Sequence, residues 1–279
     1  MVRIKLKKPF KLNDTITCGQ IFRFSKLEDG SYDVILKDRV INVYKKGDYL
    51  YVTSNNEDNL EEVVTNYFDL ENDYDSMNNY LKQVDDKITP SVEFSSGLTM
   101  IKQDPFETVI EYIISSNNGV PQIANALNLI AEKYGTEVIF NDKKYFLFPS
   151  YEDLKDVSEE DFRKCKVGFR DKYLKQIINK LNDKEIDLNS YFDMETKDAL
   201  ESLMLNPGIG PKVASCILLF AYQKYDVFPV DTWVKKVMKE SYNIEGEKNI
   251  REFAKKTYGP YSAIAIQYLF NYGRNGKNN

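Results

Sequence analysis

The stretch Leu205-Asn206-Pro207-Gly208-Ile209-Gly210-Pro211-Lys212-Val213-Ala214 decides the fold. It stands between two segments with helical apolar spacing, 196–205 and 211–224, and leaves them only a few residues in which to reverse direction. Gly208 and Gly210 supply the positive φ and the close approach that so tight a turn needs. Pro211 suits the first position of the second helix, where a missing N–H costs nothing. The free amides of the turn and of that helix start can point outward together and hold a phosphate without any side-chain charge. A plain hairpin of helices would need only a weak Gly-x-Gly; Pro-Gly-Ile-Gly-Pro-Lys-Val-Ala between amphipathic helices is far more specific.

Outward from the hairpin the pattern stays helical. Towards the C-terminus it covers 231–240, 248–257 and 261–272, and upstream 121–134 and 171–182. Asp104-Pro105-Phe106-Glu107 opens another helix by three signals together: an Asp cap, Pro at the first position and Glu at the third. Before it the character changes. Gln20-Ile21-Phe22-Arg23-Phe24, Tyr32–Leu36, Val40–Tyr44 and Tyr49–Val52 are short β-branched and aromatic runs, with turns at Glu28–Ser31 and Lys46–Asp48 between them. From Asn56 to about Asp86 the spacing is helical with acidic exposed faces. The expected fold is therefore α+β: an N-terminal antiparallel sheet with helices over residues 1–100, then an all-helical body over 101–279. There are no internal repeats.

Composition excludes much chemistry. The 279 residues include no histidine, so imidazole-based nucleophile systems, bases and metal ligands are ruled out. Cys18, Cys165 and Cys216 are too few and too far apart for a four-thiolate metal site, and their odd number argues against a disulfide framework. No metal and no cofactor is expected; the chemistry falls to Lys, Asp, Glu or Tyr. The start Met1-Val2-Arg3-Ile4-Lys5 has no signal-peptide character, and no apolar run reaches the roughly 20 residues of a membrane span. A reduced, cytoplasmic monomer with no membrane partner is expected. The net charge of −5 speaks against a polyanionic partner, but its distribution does not. Residues 55–104 hold 12 acids and 3 lysines, whereas 204–279 hold 11 bases and 6 acids. The basic end is the one that faces a polyanion.

The hairpin, followed by Phe228-Pro229-Val230-Asp231, resembles the helix-hairpin-helix DNA glycosylases with a Gly/Pro-rich loop and an aspartate. That resemblance implies double-stranded DNA as the partner, held in part by Gly208 and Gly210, and places the catalytic lysine of the bifunctional members at Lys212. The chemistry fits the position. Amine attack at the sugar C1′ needs a neutral lysine, and both a helix N-terminus and desolvation favour that form. Asp231 reads as a helix cap, and a capping carboxylate stays ionised, which suits it to stabilising an oxocarbenium-like centre.

Other segments are similar to the 8-oxoguanine DNA glycosylase branch of that superfamily. Thr17-Cys18-Gly19-Gln20-Ile21-Phe22-Arg23-Phe24 resembles the segment whose glycine carbonyl accepts N7–H of the oxidised base, which implies that role for Gly19. Ser115-Ser116-Asn117-Asn118 places at Asn117 the residue that fills the gap left by the flipped base. Gln267-Tyr268-Leu269-Phe270 implies that Gln267 reads the Watson–Crick edge and Phe270 stacks on the base, with Cys216 lining the other face. The implied activity is excision of 8-oxoguanine followed by strand cleavage, in the cytoplasm at the nucleoid if the source is a prokaryote.

Three positions depart from the eukaryotic pattern. Gln122 stands where an arginine contacts the opposite cytosine, Phe169 replaces the wedging tyrosine beside the retained Arg170, and Trp233 replaces a histidine after the aspartate. Loss of the bidentate donor at Gln122 predicts a relaxed preference for the opposite base. Two other readings stay open at this point: a relative acting on alkylated bases or oxidised pyrimidines, and a non-catalytic DNA-binding hairpin protein.

Overall fold

A computed structural model describes residues 1–276. The chain opens with β1 (Val2–Lys5) and α1 (Leu12–Thr17), then β2 (Phe24–Lys26), β3 (Tyr32–Ile35), β4 (Val40–Lys46) and β5 (Tyr49–Ser54). These strands form one antiparallel sheet in the order β1-β5-β4-β3-β2. Its register stacks Ile4 opposite Leu50, Val43 opposite Val52 and Val34 opposite Ile41. Period-2 alternation aims those apolar residues at one face. That face is closed by α2 (Leu60–Tyr67) through Leu60, Val64 and Tyr67, together with Phe68 and Ile101.

The helical body begins with α3 (Tyr74–Val84) and α4 (Thr89–Ser95), which lie early in the chain but bury Met77, Leu81 and Val92 in the second core. It continues with α5 (Pro105–Ser115), α6 (Val120–Tyr134), α7 (Glu159–Lys164), α8 (Asp171–Asn182), α9 (Thr196–Met204), α10 (Pro211–Tyr222), α11 (Thr232–Tyr242), α12 (Glu247–Thr257) and α13 (Ser262–Asn275). The N-terminal sheet and helical body match the α+β architecture expected from the sequence. Asp104 caps α5 as expected, accepting the amides of Phe106 and Glu107 at 3.1 Å each, with Pro105 next to it.

Two expectations of secondary structure fail for identifiable reasons. The run Gln20–Phe24 is irregular apart from Phe24. Its residues are held by side chains instead of a strand ladder: Gln20 Nε2 donates to Thr99 O at 2.8 Å, and Gln20 Oε1 accepts from Ile101 N at 2.9 Å. The body is also not all helical. β6 (Glu137–Phe140) and β7 (Lys143–Phe146) pair around Asn141-Asp142, whose φ values of 50° and 58° make the two-residue hairpin turn.

The loop between α9 and α10 realises the tight turn. Gly208 has φ +87°, and a Cβ there would come within 2.8 Å of the Tyr173 ring. Gly210 differs from expectation: its backbone is extended, with φ −87°, and a Cβ would meet nothing within 4 Å. It caps α10 without a side chain and leaves open space in front of the helix start.

Candidate functional site

Six helix ends converge on one cleft of about 990 Å³: the C-termini of α5 and α13 and the N-termini of α6, α10, α11 and α12. The loop after α1 closes it with Gly19 and Phe22. Four helix N-termini on one opening present the positive ends of their dipoles to whatever enters, and α10 starts without a side-chain cap, a setting suited to an anion.

Lys212, half-buried in the first turn of α10, reaches into this cleft. Its Nζ donates to Ser115 Oγ at 3.1 Å and lies 5.2 Å from the centre of the Tyr112 ring. Asp231 stands on the neighbouring rim and caps α11, its Oδ1 accepting Val234 N at 2.8 Å. One carboxyl oxygen is thus held by backbone, which fixes the group in the lining of the cleft that Lys212 enters. Cys216, one turn along α10, is buried and does not line the cleft. Burial pushes its thiol up, opposed by the nearby Lys212 amine.

One wall of the same cleft carries two of the residues expected at the base, Gly19 and Phe270. Gly19 has φ +86°, and a Cβ there would sit 3.5 Å from the Phe270 ring. Phe270 is braced edge-to-face by Trp233, with ring centres 5.0 Å apart at 76°. Trp233 itself depends on Gly273, where a Cβ would lie 2.2 Å from the indole. Gln267 lies behind this wall: it is buried, and its Nε2 donates to Cys18 O at 3.2 Å. In this arrangement the amide props the Cys18–Gly19 backbone and does not line the cleft.

The residues expected to meet the duplex divide in a similar way. Asn117 is exposed at the cleft edge with φ +52°, and Gln122 is exposed in the first turn of α6. Phe169 is 56% exposed, a large apolar ring facing solvent close to Asn117's loop. Arg170 is only 5% exposed. Its Nε and Nη2 donate to Ser116 O, Nη2 also reaches Asn117 O at 3.2 Å, and Nη1 donates to Val167 O at 3.0 Å. With its donors turned onto backbone carbonyls, Arg170 builds the Asn117 loop and presents its guanidinium stacked under the Phe169 ring, 4.4 Å from the centre.

A family model described as HhH-GPD superfamily base excision DNA repair protein matches residues 110–260, and one described as 8-oxoguanine DNA glycosylase, N-terminal domain, matches residues 2–109. The chain belongs to the HhH-GPD superfamily of base excision DNA repair proteins. It is 31% identical over 237 residues to a probable N-glycosylase/DNA lyase of Methanothermobacter thermautotrophicus, covering 77% of this chain and 75% of that one. Its structure is similar to the apo-form of Clostridium acetobutylicum 8-oxoguanine glycosylase/lyase, with a TM-score of 0.93, 38% identity and coverage of 97% and 95%. The same Clostridium enzyme in complex with dsDNA containing cytosine opposite 8-oxoguanine gives a TM-score of 0.92 at 36% identity, covering 99% of each chain.

For this HhH-GPD protein several residues at or behind the cleft escaped the sequence reading. Ser115 and Tyr112, the immediate neighbours of the Lys212 amine, were indistinguishable from helix-end and core residues. Arg274 lines the cleft one turn beyond Phe270, its guanidinium 5.4 Å from that ring. Its i, i+4 spacing from Phe270 was a legible signal. Lys235 and Glu247 complete the rim as an ion pair at 2.6 Å. Among the described residues no group of three or more His, Cys, Asp and Glu could hold a metal ion, and no helix is long and apolar enough to cross a membrane.

Proposed function

We propose that the chain is a bifunctional DNA glycosylase and lyase that excises 8-oxoguanine from duplex DNA. The observation that carries this reading is the sharing of one cleft by Lys212, Asp231, Gly19 and Phe270. The names of the similar proteins, glycosylase/lyases among them, support it. With duplex DNA as its partner, the protein would act at the nucleoid, in the cytoplasm of a prokaryote.

The geometry supports the following sequence. The damaged nucleotide is flipped into the cleft, its phosphates taken by the free amides of the hairpin around Gly208 and Gly210. Asn117 fills the vacated place and Phe169 wedges against the opposite strand. The base lies against Phe270, and the Gly19 carbonyl accepts N7–H, a hydrogen that unmodified guanine lacks. Lys212 Nζ then forms a bond to C1′ as the C1′–N9 bond breaks, and the base leaves with the bonding electrons and gains a proton. Charge on the sugar during this step is stabilised by the Asp231 carboxylate. The C1′–O4′ bond then breaks and opens the sugar ring, the nitrogen giving up a proton and O4′ gaining one; the Schiff base so formed allows loss of a C2′ proton and cleavage of the C3′–O bond, which breaks the strand.

Borohydride reduction tests this directly, because it converts the Schiff base into a stable adduct. The parent protein is expected to form a covalent adduct with an 8-oxoguanine duplex, and Lys212→Gln to bind the duplex with neither excision nor adduct. Excision by the variant at the parent rate would remove Lys212 from its role. Binding without adduct in the parent would instead favour a DNA-binding module.

A further inference from the structure

We infer that Ser115 is a positioning residue for the Lys212 amine, holding it so that its lone pair faces the cleft; the inference rests on the reading of Lys212 as nucleophile. Ser115 is the last residue of α5, and its Oγ–H donates to Tyr112 O at 2.8 Å. A hydroxyl has one proton to give, so once that is committed the oxygen can serve Lys212 only as an acceptor. It does so at 3.1 Å, with the Cys216 thiol one turn along α10 also close to the amine. The second group against the amine is the face of the Tyr112 ring at 5.2 Å, also electron-rich and also an acceptor for N–H.

A neutral amine has two hydrogens and one lone pair in a tetrahedral arrangement. With one hydrogen directed at Ser115 Oγ and the other at the Tyr112 ring, both on the α5 side, the lone pair is left for the open side, where C1′ has to arrive. The Tyr112 ring is itself fixed. It stacks on Phe220 with centres 5.5 Å apart and planes 11° off parallel, and its buried phenol is pushed well above its usual range, so the ring stays neutral. Its hydroxyl leans on Gln20 O at 3.4 Å, one residue beyond Gly19. The nucleophile and the base-sensing loop are thereby referenced to one side chain.

Lys212 attacks C1′ both in base excision and in trapping at an abasic site, whereas a base-recognition residue matters only for the first. This sets the test: Ser115→Ala and Ser115→Thr are compared with the parent in single-turnover excision of 8-oxoguanine and in borohydride trapping on a preformed abasic duplex. Duplex affinity and melting temperature are measured alongside. Ser115→Ala is expected to slow both reactions by about 10- to 100-fold, the effect of a nucleophile misplaced by about 1 Å, with affinity and melting unchanged. Ser115→Thr, which keeps the hydroxyl, is expected to restore both. Parent rates in Ser115→Ala, slowed excision with normal trapping, a Thr variant as slow as Ala, or a rate loss that tracks melting or affinity would each overturn the inference. A Lys212→Gln control that still traps would overturn the underlying assignment as well, so the two failures are distinguishable.

Discussion

Gly208 and Gly210 look equivalent in the sequence and are not equivalent in space. Gly208 needs its left-handed backbone and has the Tyr173 ring against it, whereas Gly210 is extended and open. Gly208→Ala is therefore expected to cost stability, about 1–3 kcal/mol from the backbone alone, visible as a lower melting temperature. Gly210→Ala is expected to leave melting nearly unchanged and to weaken duplex binding, because its methyl group stands where a phosphate would approach. Equal melting losses in the two variants would show that the turn has no such asymmetry. Gln122 offers a second prediction at this scale. Exposed and without a guanidinium fork, it should discriminate weakly among opposing bases. Single-turnover excision opposite all four bases is expected to vary little in the parent, and Gln122→Arg to raise the preference for cytosine by about 1–3 kcal/mol. A strong cytosine preference in the parent would refute this reading.

At the scale of elements, what could be read from the sequence was what short-range rules govern. The cap at Asp104, Pro105 and the Pro-Gly-Ile-Gly-Pro turn each act within a few residues, so their signals are local. The irregular Gln20–Phe24 run escaped because its partners are remote: Gln20 bonds to Thr99 and Ile101, and Arg23 pairs with Glu107 at 2.9 Å. The partners of Arg170 escaped for the same reason, since nothing near it in sequence reveals the carbonyls of Ser116 and Asn117. The buried face of α5 that receives Arg23 also holds a liability. Glu111 Oε2 is buried without a hydrogen-bond partner, and burial, followed by repulsion from Glu107, pushes this carboxyl well up. Asp104 adds to the rise, and Arg23 is the one group acting against it. A carboxyl whose folded value is raised keeps its proton in the native state, while the unfolded chain loses it above about pH 4.3. Stability should fall as pH rises beyond that point. Glu111→Gln, with no proton to lose, is expected to melt with a flatter pH dependence between pH 5 and 8 than the parent. Parallel melting curves for the two proteins would contradict a protonated Glu111.

For the whole molecule, the basic C-terminal third is less basic than its count of side chains implies. Several of its charges are already engaged at α11 and α12: Lys235 with Glu247 at 2.6 Å, Arg251 with the same carboxylate at 3.0 Å, and Lys239 with Glu245 at 3.0 Å. The sequence shows the asymmetry between the acidic front and the basic end, but not the pairing of Lys235 with Glu247, which depends on how the two helices meet. The protein's net charge of −5 and the self-neutralised rim both reduce long-range attraction to a duplex. Glu247 is the centre of the arrangement, because it lines the cleft, joins two cations, and is held below the usual carboxylate range first of all by Lys235. Glu247→Gln should release Lys235 towards the phosphates at the cleft rim. Each additional phosphate contact releases counterions and steepens the fall of log K with log salt by about 0.9. The variant is therefore expected to bind undamaged duplex more tightly at low salt, with a slope steeper by about one contact and the advantage fading as salt rises. Binding isotherms for undamaged DNA over a salt series measure both quantities. An unchanged slope would mean that Lys235 stays away from the backbone even when released.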